Sequence, residues 1–488
     1  MGILSDVYRT SLALLTDLYQ LTMAYGYWKT GMGEREAAFN LFFRRNPFGG
    51  GYTVACGLSY VIEFLRDFRF DQSDLAYLSE LRGGDGNPLL EDAFLRYLES
   101  FRLRCDIDAV PEGSVVFPYE PLIRVKGPLL HAQLLETPLL NLINFQTLVA
   151  TKAARVVSAA RGDPVLEFGL RRAQGIDGGI TASRAAYVGG CAATSNVLAG
   201  KIFGIPVRGT HAHSWVMAFP SEEEAFRAYA EAMPNNCVFL VDTYNTLEGV
   251  KRAVTVAKEL SGCGLKFLGI RLDSGDLAYL SIEARRILDE NGFKEAKIFA
   301  SNDLDEHLIQ SLKEQGAKVG VWGVGTKLAT AYDQPALGGV YKLVAIKNAE
   351  GRWEYKIKLS EQAAKINIPG LCKVRRYVQD GTYVADCIYS EDLGVEEPCV
   401  IVDPADPTRR KRIVPGTQWE ELLIPIARQG ELVSEPEPLN GIRERAKEQL
   451  ERLHPTIRRL TNPHIYPVGL ENRLNDLRMK LILEARGF

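Results

Sequence analysis

Polar and ionisable side chains recur at the ends of six short apolar segments in the middle third of the chain. Five of these ends carry groups that hydrogen-bond or ionise, and the sixth is a glycine-rich turn. Residues of these types bind anions, hold cations or transfer protons. The six ends are residues 167–172 (EFGLRR), 209–214 (GTHAHS), 242–245 (DTYN), 271–276 (RLDSGD), 301–303 (SND) and 323–326 (GVGT).

The chemistry of these residues predicts an enzyme whose pocket holds an anionic, phosphorylated small molecule. Arg171 and Arg271 would face the anion, because guanidinium groups match phosphate oxygens. Asp242 and Asp273 would face a sugar hydroxyl or Mg²⁺, which prefers oxygen ligands. His213 would be available for acid–base or covalent work.

Ordinary structural roles are also open to several of these residues. Arg171 could pair with Glu167 across one helical turn. Asp242 and Asp276 could cap the helices that follow them, which is the commonest role of an aspartate at such a position.

A zinc site is disfavoured by the histidine and cysteine spacing. His211 and His213 would share one face of an extended segment, but no third histidine lies nearby and no His-Glu-x-x-His motif is present. The eight cysteines include no Cys-x-x-Cys pair, so we expect reduced and mostly buried thiols.

The glycine-rich turn would let backbone amides approach a phosphate through Gly323 and Gly325, with the hydroxyl of Thr326 beside them. It is not a Walker A loop, because Thr326-Lys327 reverses the required order. Nor is it Gly-x-Gly-x-x-Gly, since the position of the third glycine is Leu328. A dinucleotide fingerprint is therefore absent.

Strand-like and helical patterns alternate through the same region and predict a parallel α/β fold. A closed barrel fits six strand–helix units in series better than an open sheet does. Asp303 and Glu306 form a predicted capping box. The predicted strands are 165–168, 205–208, 238–241, 267–272, 297–300 and 319–322, and the predicted helices are 221–233, 245–260, 277–291 and 304–314.

The flanking regions have different patterns. Residues 1 to about 150 mix helical windows with β-like stretches at 37–43 and 114–125, and apolar alternation from residue 339 predicts antiparallel hairpins. The remaining predictions are hairpin strands at 340–344 and 353–359, an exposed connection at 402–416 that contains the basic run 409–412, and helices at 442–453 and 470–485.

The amino-acid composition limits the classes of molecule that this protein is expected to bind. The formal net charge of −3 provides no excess of basic residues for a nucleic acid. No apolar stretch reaches the roughly 18 residues that a membrane span needs, and the first residues lack a signal-peptide pattern. We therefore expect a cytoplasmic protein with a small-molecule partner, no nucleic acid and no membrane role.

With these residues the chain resembles the nicotinate phosphoribosyltransferase family. The shared segments occur in the expected order and span nearly the whole chain. They are residues 15–23 (LTDLYQLTM), 167–172, 209–214, 271–276, 323–326, 337–343 (LGGVYKL) and 462–464 (NPH).

The resemblance implies a type II phosphoribosyltransferase fold. An irregular, incomplete TIM-like α/β barrel over residues 151–338 would carry the active site. An α/β sandwich domain would be built from the flanking regions 1–150 and 339–488, the latter a β-hairpin and helical region. The protein would work as a homodimer with a shared active site.

The resemblance also implies a reaction. Nicotinate and 5-phosphoribosyl 1-pyrophosphate would give nicotinate mononucleotide and pyrophosphate, coupled to ATP hydrolysis, with Mg²⁺ as cofactor, in the salvage route to NAD. His213 would be the phosphohistidine that couples ATP as co-substrate. No Walker loop would be needed, because ATP could share the phosphoribosyl pyrophosphate pocket.

The family roles fall on individual residues of this chain. Phe168 and Tyr19, the latter from the other subunit, would sandwich the pyridine ring, with Arg171 and Thr210 near the ring and its carboxylate. Ser195 stands where nicotinamide phosphoribosyltransferase keeps an aspartate, and this favours the acid over the amide. The residues expected at the phosphoribosyl pyrophosphate are Arg271, Asp273, Ser274, Gly275, Asn302, Gly323, Gly325 and Thr326, with Asp242 and Asp273 near Mg²⁺.

Two other functions fit less well. Quinolinate phosphoribosyltransferase has the same barrel but uses no ATP, and the His213 motif and the long C-terminal region argue against it. A non-catalytic nucleotide-sensing or scaffold protein would have little reason to retain His213, Asp273 and Arg271.

Overall fold

The structure is a computed structural model that describes residues 11–262, 264, 266–361 and 366–488. The chain forms two compact units, one from Met1–Leu148 with Ala336–Phe488 and the other from Val149–Pro335. Within the described ranges, no helix is both long and apolar enough to cross a membrane. The N-terminal residues 1–10, on which the prediction about targeting depends, lie outside the described residues, as does Cys263.

The described residues in the N-terminal part of the first unit, from residue 11 onward, form five strands. They are β1 Glu36–Phe42, β2 Thr53–Val54, β3 Asp106–Ala109, β4 Val115–Val116 and β5 Ile123–Pro128. The helices are Leu18–Lys29, Leu58–Asp67, Gln72–Glu80, Asp92–Glu99 and Leu129–Leu134, and a further helix, Glu136–Ala159, begins in this unit and ends in the second. The strand predicted at 37–43 is confirmed. The stretch 114–125 is two strands, because Pro118 and Pro121 lack the N–H that a continuous ladder needs.

The second unit contains a six-stranded parallel sheet in the order β7-β6-β11-β10-β9-β8. Its strands are β6 Val165–Glu167, β7 Ala193–Thr194, β8 Val238–Leu240, β9 Gly269–Leu272, β10 Lys297–Ala300 and β11 Val321–Val324. Its helices are Gly175–Val188, Val197–Phe203, His213–Met217, Glu222–Ala232, Thr246–Gly262, Leu277–Glu290, Glu306–Glu314 and Thr326–Ala329. The predicted parallel sheet is confirmed, and its closure into a barrel stays a prediction.

Two local predictions in this unit are wrong. The segment 205–208 is not a strand: Val207 makes one isolated bridge to Thr194, because Pro206 cannot donate to a ladder. The short strand Ala193–Thr194 takes its place in the sheet. The predicted capping box is also wrong, since the cap of helix Glu306–Glu314 is Asp305, which accepts from the Leu308 N–H at 2.7 Å.

In the C-terminal part of the first unit, the residues that the structure describes form ten strands and two helices. The strands are β12 Val340–Lys347, β13 Trp353–Tyr355, β14 Cys372–Gln379, β15 Thr382–Ser390, β16 Val400–Val402, β17 Arg410–Arg412, β18 Gln418–Glu421, β19 Ile424–Arg428, β20 Glu431–Leu432 and β21 Val468–Glu471. The helices are Leu439–Glu451 and Asn472–Ala485. The hairpin of β12 and β13 is confirmed.

The basic run of the expected connection at 402–416 is largely exposed, as predicted, but it is not an irregular loop, because β17 pairs with β16. Arg409, Arg410 and Lys411 line a cleft of about 690 Å³ in the first unit, together with Arg44 and Arg45. A run of charges in sequence gives no indication that it alternates across a strand.

Strands from the N-terminal and C-terminal parts of the chain share the seven-stranded sheet of the first unit, whereas the six-stranded sheet consists of C-terminal strands. The order of the seven-stranded sheet is β13-β12-β1-β5-β3-β19-β20, in which β1 pairs with β5 and with β12. The order of the six-stranded sheet is β17-β16-β21-β15-β14-β18. The seven cysteines within the described ranges are buried thiols, as predicted.

Candidate active site

Arg271 is the centre of a hydrogen-bonded cluster at the carboxyl edge of the parallel sheet. It lies in β9, and its side chain is 15% exposed. The guanidinium donates to Ser301 Oγ at 2.9 Å, Thr210 Oγ1 at 3.0 Å and Asp273 Oδ1 at 3.0 Å. Side chains from different strand-end segments therefore fix the orientation of the Arg271 guanidinium beside the pocket.

Asp273 is the anionic partner of that cation. Burial alone would raise the pKa of Asp273, but hydrogen bonding from Ser301 and the charge of Arg271 outweigh it and lower the pKa below the ordinary value. The carboxylate therefore stays ionised at neutral pH, and it can accept a hydroxyl proton or bind a cation.

Asp242 supports the same loop rather than a helix. Its Oδ2 accepts from the Asp273 N–H at 2.8 Å and from Ser274 Oγ at 2.6 Å. The following helix, Thr246–Gly262, is instead capped by Asn245, which accepts from the Glu248 N–H at 3.1 Å. The cap interpretation is thus wrong for Asp242.

The cap interpretation is right for Asp276. Its carboxylate accepts from the N–H groups of Ala278 and Tyr279 at the start of helix Leu277–Glu290. Two aspartates that have similar sequence settings therefore have different roles.

His213 begins the short helix His213–Met217, and its side chain is 39% exposed. Nδ1 lies 3.1 Å from Thr243 Oγ1, and Nε2 lies 3.7 Å from Asp273 Oδ2. Both ring nitrogens thus face oxygen atoms, while the ring remains accessible from solvent. This arrangement suits a nucleophile whose orientation is set by its neighbours.

His211 is buried and already engaged. Its Nε2 accepts from the Leu240 N–H at 3.2 Å, and its ring contacts Tyr229 edge-on at 4.7 Å. Burial lowers the pKa of His211 to about 4. The segment is not a strand, so the expected shared face with His213 does not exist, and His211 is a neutral structural residue.

Phe168 follows β6 and lies against β11. A Cβ atom on Gly323 would come within 2.7 Å of the Phe168 ring, so this glycine is required for close packing of the aromatic side chain. The Arg271 guanidinium carbon lies 5.9 Å from the centre of the same ring. The ring and the charged cluster therefore border one space.

Arg171 is exposed in the 3-10 turn Leu170–Arg172 and donates to the Phe168 carbonyl at 3.3 Å. The suggested pair with Glu167 does not form, because Glu167 is hydrogen-bonded to the N–H of Gly169 and to other partners. The structure thus places Arg171 near Phe168 but not in the Arg271 cluster.

Ser195 is half-buried, and its N–H donates to the Glu167 carbonyl at 2.9 Å. A cavity of about 770 Å³ has Phe168, Thr210 and Arg271 in its lining and extends past Leu268 and Val321 toward the amino ends of the strands. Its volume lies within the range of small-molecule sites.

Of the remaining predicted residues, Ser274, Gly275 and Asn302 lie on loops at the same edge. Gly275 and Asn302 have positive φ angles of 78° and 94°, the latter uncommon for a residue with a side chain. Gly325 precedes helix Thr326–Ala329. In the first unit, Tyr19 lies in helix Leu18–Lys29 and is 48% exposed.

The residues fit a divalent cation that takes most of its ligands from a substrate and water. Within the described ranges, no group of three or more His, Cys, Asp or Glu side chains could hold an ion by itself. Asp242 Oδ1, however, is buried and has no hydrogen-bond partner in that part of the chain. Mg²⁺ is bound in this way at phosphate sites, through one or two carboxylates.

Two residues that contact the candidate active-site side chains were not selected from the sequence. Thr243 faces His213, and Ser301 bridges Arg271 and Asp273. Both lie within the strand-end segments quoted above, so their position was a usable signal, but a small hydroxyl residue has too many other roles to be selected by type.

A parallel α/β fold with a strand-end cluster of arginine, aspartate and histidine defines an enzyme class that acts on anionic small molecules. Three family models match the chain. They are the nicotinate phosphoribosyltransferase N-terminal domain at residues 14–144, the nicotinate phosphoribosyltransferase family at 165–363 and the C-terminal domain at 373–478.

Similar proteins cover nearly the whole chain. The nicotinate phosphoribosyltransferase of Bacillus subtilis is 45% identical over 483 residues, which are 98% of this chain and 96% of that protein. The Homo sapiens protein of the same name is 37% identical over 537 residues, covering 95% of each chain. The crystal structure of human nicotinic acid phosphoribosyltransferase superposes with a TM-score of 0.83 and 35% identity, over 96% of this chain and 99% of that one.

The chain belongs to the nicotinate phosphoribosyltransferase family, a family of pentosyl-transferring enzymes, as its sequence motifs predict. A nicotinate-nucleotide pyrophosphorylase from Pyrococcus furiosus, 23% identical with a TM-score of 0.69 over 91% of this chain and 96% of that one, shares the fold.

Proposed function

We propose that this enzyme joins nicotinate to 5-phosphoribosyl 1-pyrophosphate and releases nicotinate mononucleotide and pyrophosphate. The observation that carries the proposal is the Arg271–Asp273–Asp242 cluster at the strand ends of a chain that belongs to this family. A phosphorylated sugar carries both anionic oxygens and hydroxyl groups. The cluster can bind both, because the fixed guanidinium of Arg271 lies beside the carboxylates of Asp273 and Asp242.

Displacement of pyrophosphate requires stabilisation of the departing negative charge. Arg271 is oriented by three hydrogen bonds before substrate arrives, so it can act on that charge without reorganising. Asp242 and Asp273 would hold Mg²⁺, which supplies charge neutralisation at the pyrophosphate oxygens. Asn302 and the loop Gly323, Gly325 and Thr326 would add donors to the ribose and phosphates, with Ser274 and Gly275.

The pyridine ring would bind beside Phe168, with Thr210 near its edge and Arg171 toward its carboxylate. Ser195 places a neutral side chain where an aspartate would repel a carboxylate. The proposed base is therefore nicotinate rather than nicotinamide.

His213 would couple ATP to the reaction as a phosphohistidine. The ring nitrogen without a proton attacks the γ-phosphorus, the bond to the bridging oxygen breaks, and ADP leaves. Water later cleaves the phosphorus–nitrogen bond and releases phosphate. Thr243 and Asp273 support this role because they orient the two ring nitrogens. The product would enter the synthesis of NAD from salvaged nicotinate.

Product analysis tests the function. Nicotinate, nicotinamide and quinolinate should be offered separately with 5-phosphoribosyl 1-pyrophosphate, with and without ATP. We expect nicotinate mononucleotide from nicotinate, faster with ATP, and little product from the other bases. A product from quinolinate with release of carbon dioxide, or no product from any base, contradicts the proposal.

The proposed active site is shared between two copies of the chain. Tyr19 is an exposed aromatic side chain of the first unit. Exposed apolar side chains also follow the strands of the second unit, as expected of a surface that another subunit covers. They are Leu170, Ile176, Val197, Leu198, Met217, Tyr244, Tyr279 and Tyr332.

Subunit mixing tests the sharing. Tyr19→Ala and His213→Ala proteins should each be inactive in ATP-coupled synthesis. After verified subunit exchange, a mixture should regain activity, because one site of each mixed dimer contains both native residues. Persistent inactivity of the mixture contradicts a shared site.

A further inference from the structure

Glu167 is a buried carboxyl group at the end of β6 that the proposed reaction does not use. The residue is 1% exposed. Its Oε2 accepts from Ser183 Oγ at 2.9 Å and from Thr194 Oγ1 at 2.6 Å, and its Oε1 accepts from the Gly169 N–H. Three donors from different parts of the second unit thus converge on one side chain.

The same network continues into the turn after β7. Thr194 Oγ1 accepts from the Asn196 N–H at 2.9 Å, and Asn196 Nδ2 donates to Ser183 Oγ at 3.2 Å. Ser195 lies between Thr194 and Asn196, and its N–H donates to the Glu167 carbonyl at 2.9 Å. The backbone on both sides of Ser195 is therefore tied to Glu167.

The turn after β6 is held from both sides. The Phe168 N–H donates to the Val324 carbonyl at 2.8 Å. A Cβ atom on Gly169 would come within 2.2 Å of Ala329 Cβ and 2.8 Å of the Gly325 carbonyl oxygen, so the backbone packs closely there. Glu167 closes the other side of this turn through its bond with the Gly169 N–H.

We propose that Glu167 is the positioning residue that sets the placement of Phe168 relative to Ser195, and through it the selection of the pyridine base. The inference rests on the proposed function. Glu167 is the residue to which both the turn that carries Phe168 and the turn that carries Ser195 are hydrogen-bonded. Supporting networks of this kind fix the contact residues of a site.

Three substitutions test the role. Glu167→Gln keeps the size of the side chain, while Ser183→Ala and Thr194→Val each remove one donor. We expect the KM for nicotinate to rise about tenfold, and the preference for nicotinate over nicotinamide to fall by about the same factor. The KM for 5-phosphoribosyl 1-pyrophosphate should stay within about twofold of the parent value, because the Arg271 cluster makes no use of Glu167.

Ser281→Ala is the matched control. Ser281 is also a buried helical serine of the second unit, and its hydroxyl bonds to the Ala278 carbonyl and the Lys318 N–H, both at 3.0 Å. This substitution should lower the melting temperature about as much as Ser183→Ala while leaving both KM values and the base preference unchanged.

Several outcomes overturn the inference. They are an unchanged nicotinate KM in the three variants, a loss that falls equally on both substrates, or the same base-specific loss in Ser281→Ala. If Glu167→Gln does not fold, Ser183→Ala and Thr194→Val decide the question. If the parent enzyme forms no nicotinate mononucleotide, the proposed function is itself wrong, and that result is read before any variant is compared.

Discussion

The two halves of the strand-end site are held in different ways. In the charged half, which comprises Asp242, Arg271 and Asp273 with His213, the groups proposed to bind the substrates and Mg²⁺ also contact one another. Arg271 and Asp273 share a 3.0 Å ion pair and are 15% and 28% exposed. In the aromatic half, which comprises Phe168 and Ser195, support comes from Glu167 behind the pocket.

In the aromatic half, the residue that supports the site is different from the residues proposed to contact the substrate. In the charged half, the same residues do both. A substitution in the charged half removes a ligand-binding group and a neighbour's hydrogen bond together, so its effects should be large and non-additive. In the aromatic half, a contact residue can be changed while its backbone stays tied to Glu167. Substitutions there should alter selectivity more than rate.

The largest expected effect is in the charged half, at His213. Incubation with γ-labelled ATP should label the protein with a phosphate that survives base and is lost in acid, as a nitrogen-linked phosphate is. His213→Ala should abolish labelling and ATP hydrolysis. A slow, ATP-independent synthesis should remain, about a hundredfold below the coupled rate, because the pocket still holds both substrates.

His211→Ala is the control for this experiment and should retain the label, since His211 is buried and hydrogen-bonded to the Leu240 N–H. Label on His211, or unchanged ATP stimulation in His213→Ala, would show that the assignment of the phosphohistidine is wrong.

The next effect concerns the buried, unpartnered oxygen of Asp242. Asp242→Asn removes the charge but keeps an acceptor for Ser274, so the loop should hold its shape. The Mg²⁺ concentration for half-maximal activity should rise about tenfold or more, as it does when an ion loses one carboxylate or its support. Titration with Mg²⁺ measures this directly.

Asp276→Asn is the matched variant for Asp242→Asn. Asp276 caps a helix, and asparagine caps about as well as aspartate. Its Mg²⁺ dependence should therefore match that of the parent enzyme. An equal shift in both variants would mean that Asp242 has no special relation to the cation.

In the aromatic half, Ser195→Asp should penalise nicotinate and so weaken the preference for it over nicotinamide. A carboxylate at this position would repel that of nicotinate, lowering its kcat/KM about tenfold, and would spare nicotinamide. Labelling of His213 should not change, because the charged half is untouched. Equal efficiency for both bases in the parent enzyme would already contradict the role of Ser195.

Much of the charged half could be predicted from sequence because Arg271, Asp273 and Asp242 lie at or just after the ends of apolar strands. Arg271, Asp273 and Asp242 were selected in that way, and the structure brings them together. The aromatic half was harder. Glu167 and Thr194 are joined only by folding, and neither residue type nor spacing shows that a carboxyl group accepts from a threonine on another strand.

The prediction of the fold from sequence was limited in the same way, because elements that depend on distant partners were missed. Long, strongly patterned elements such as helix Thr246–Gly262 and the hairpin of β12 and β13 were predicted, since their patterns reflect local burial. The short strand β7 and the pairing of β17 with β16 were missed, because a strand of two or three residues has too little pattern and depends on its partner.

The smallest expected effect is on stability alone, and it concerns the buried histidine beneath the charged half. The pKa of His211 is lowered by burial from 6.5 to about 4 in the folded protein. Between pH 4 and pH 6.5 the unfolded chain binds more protons at this histidine than the folded protein does. The contribution of neutral His211 to the free energy of unfolding is therefore complete above pH 6.5 and decreases as the pH drops toward 4. The slope from one such group is up to about 1.4 kcal/mol per pH unit. His131, in the other unit, has the same lowered pKa of about 4 and the same sign of effect.

His211→Gln should therefore flatten the acid-side slope of unfolding free energy without removing it, because His131 still contributes. Urea unfolding at several pH values between 4 and 7 measures the slope, so the comparison does not depend on the absolute stability of the variant. His307→Gln is the control, since His307 is an exposed side chain of the same unit, and its slope should equal that of the parent. Parallel curves for the parent and His211→Gln would mean that His211 is charged or accessible in the folded protein. The neutral, structural role given to His211 would then be wrong.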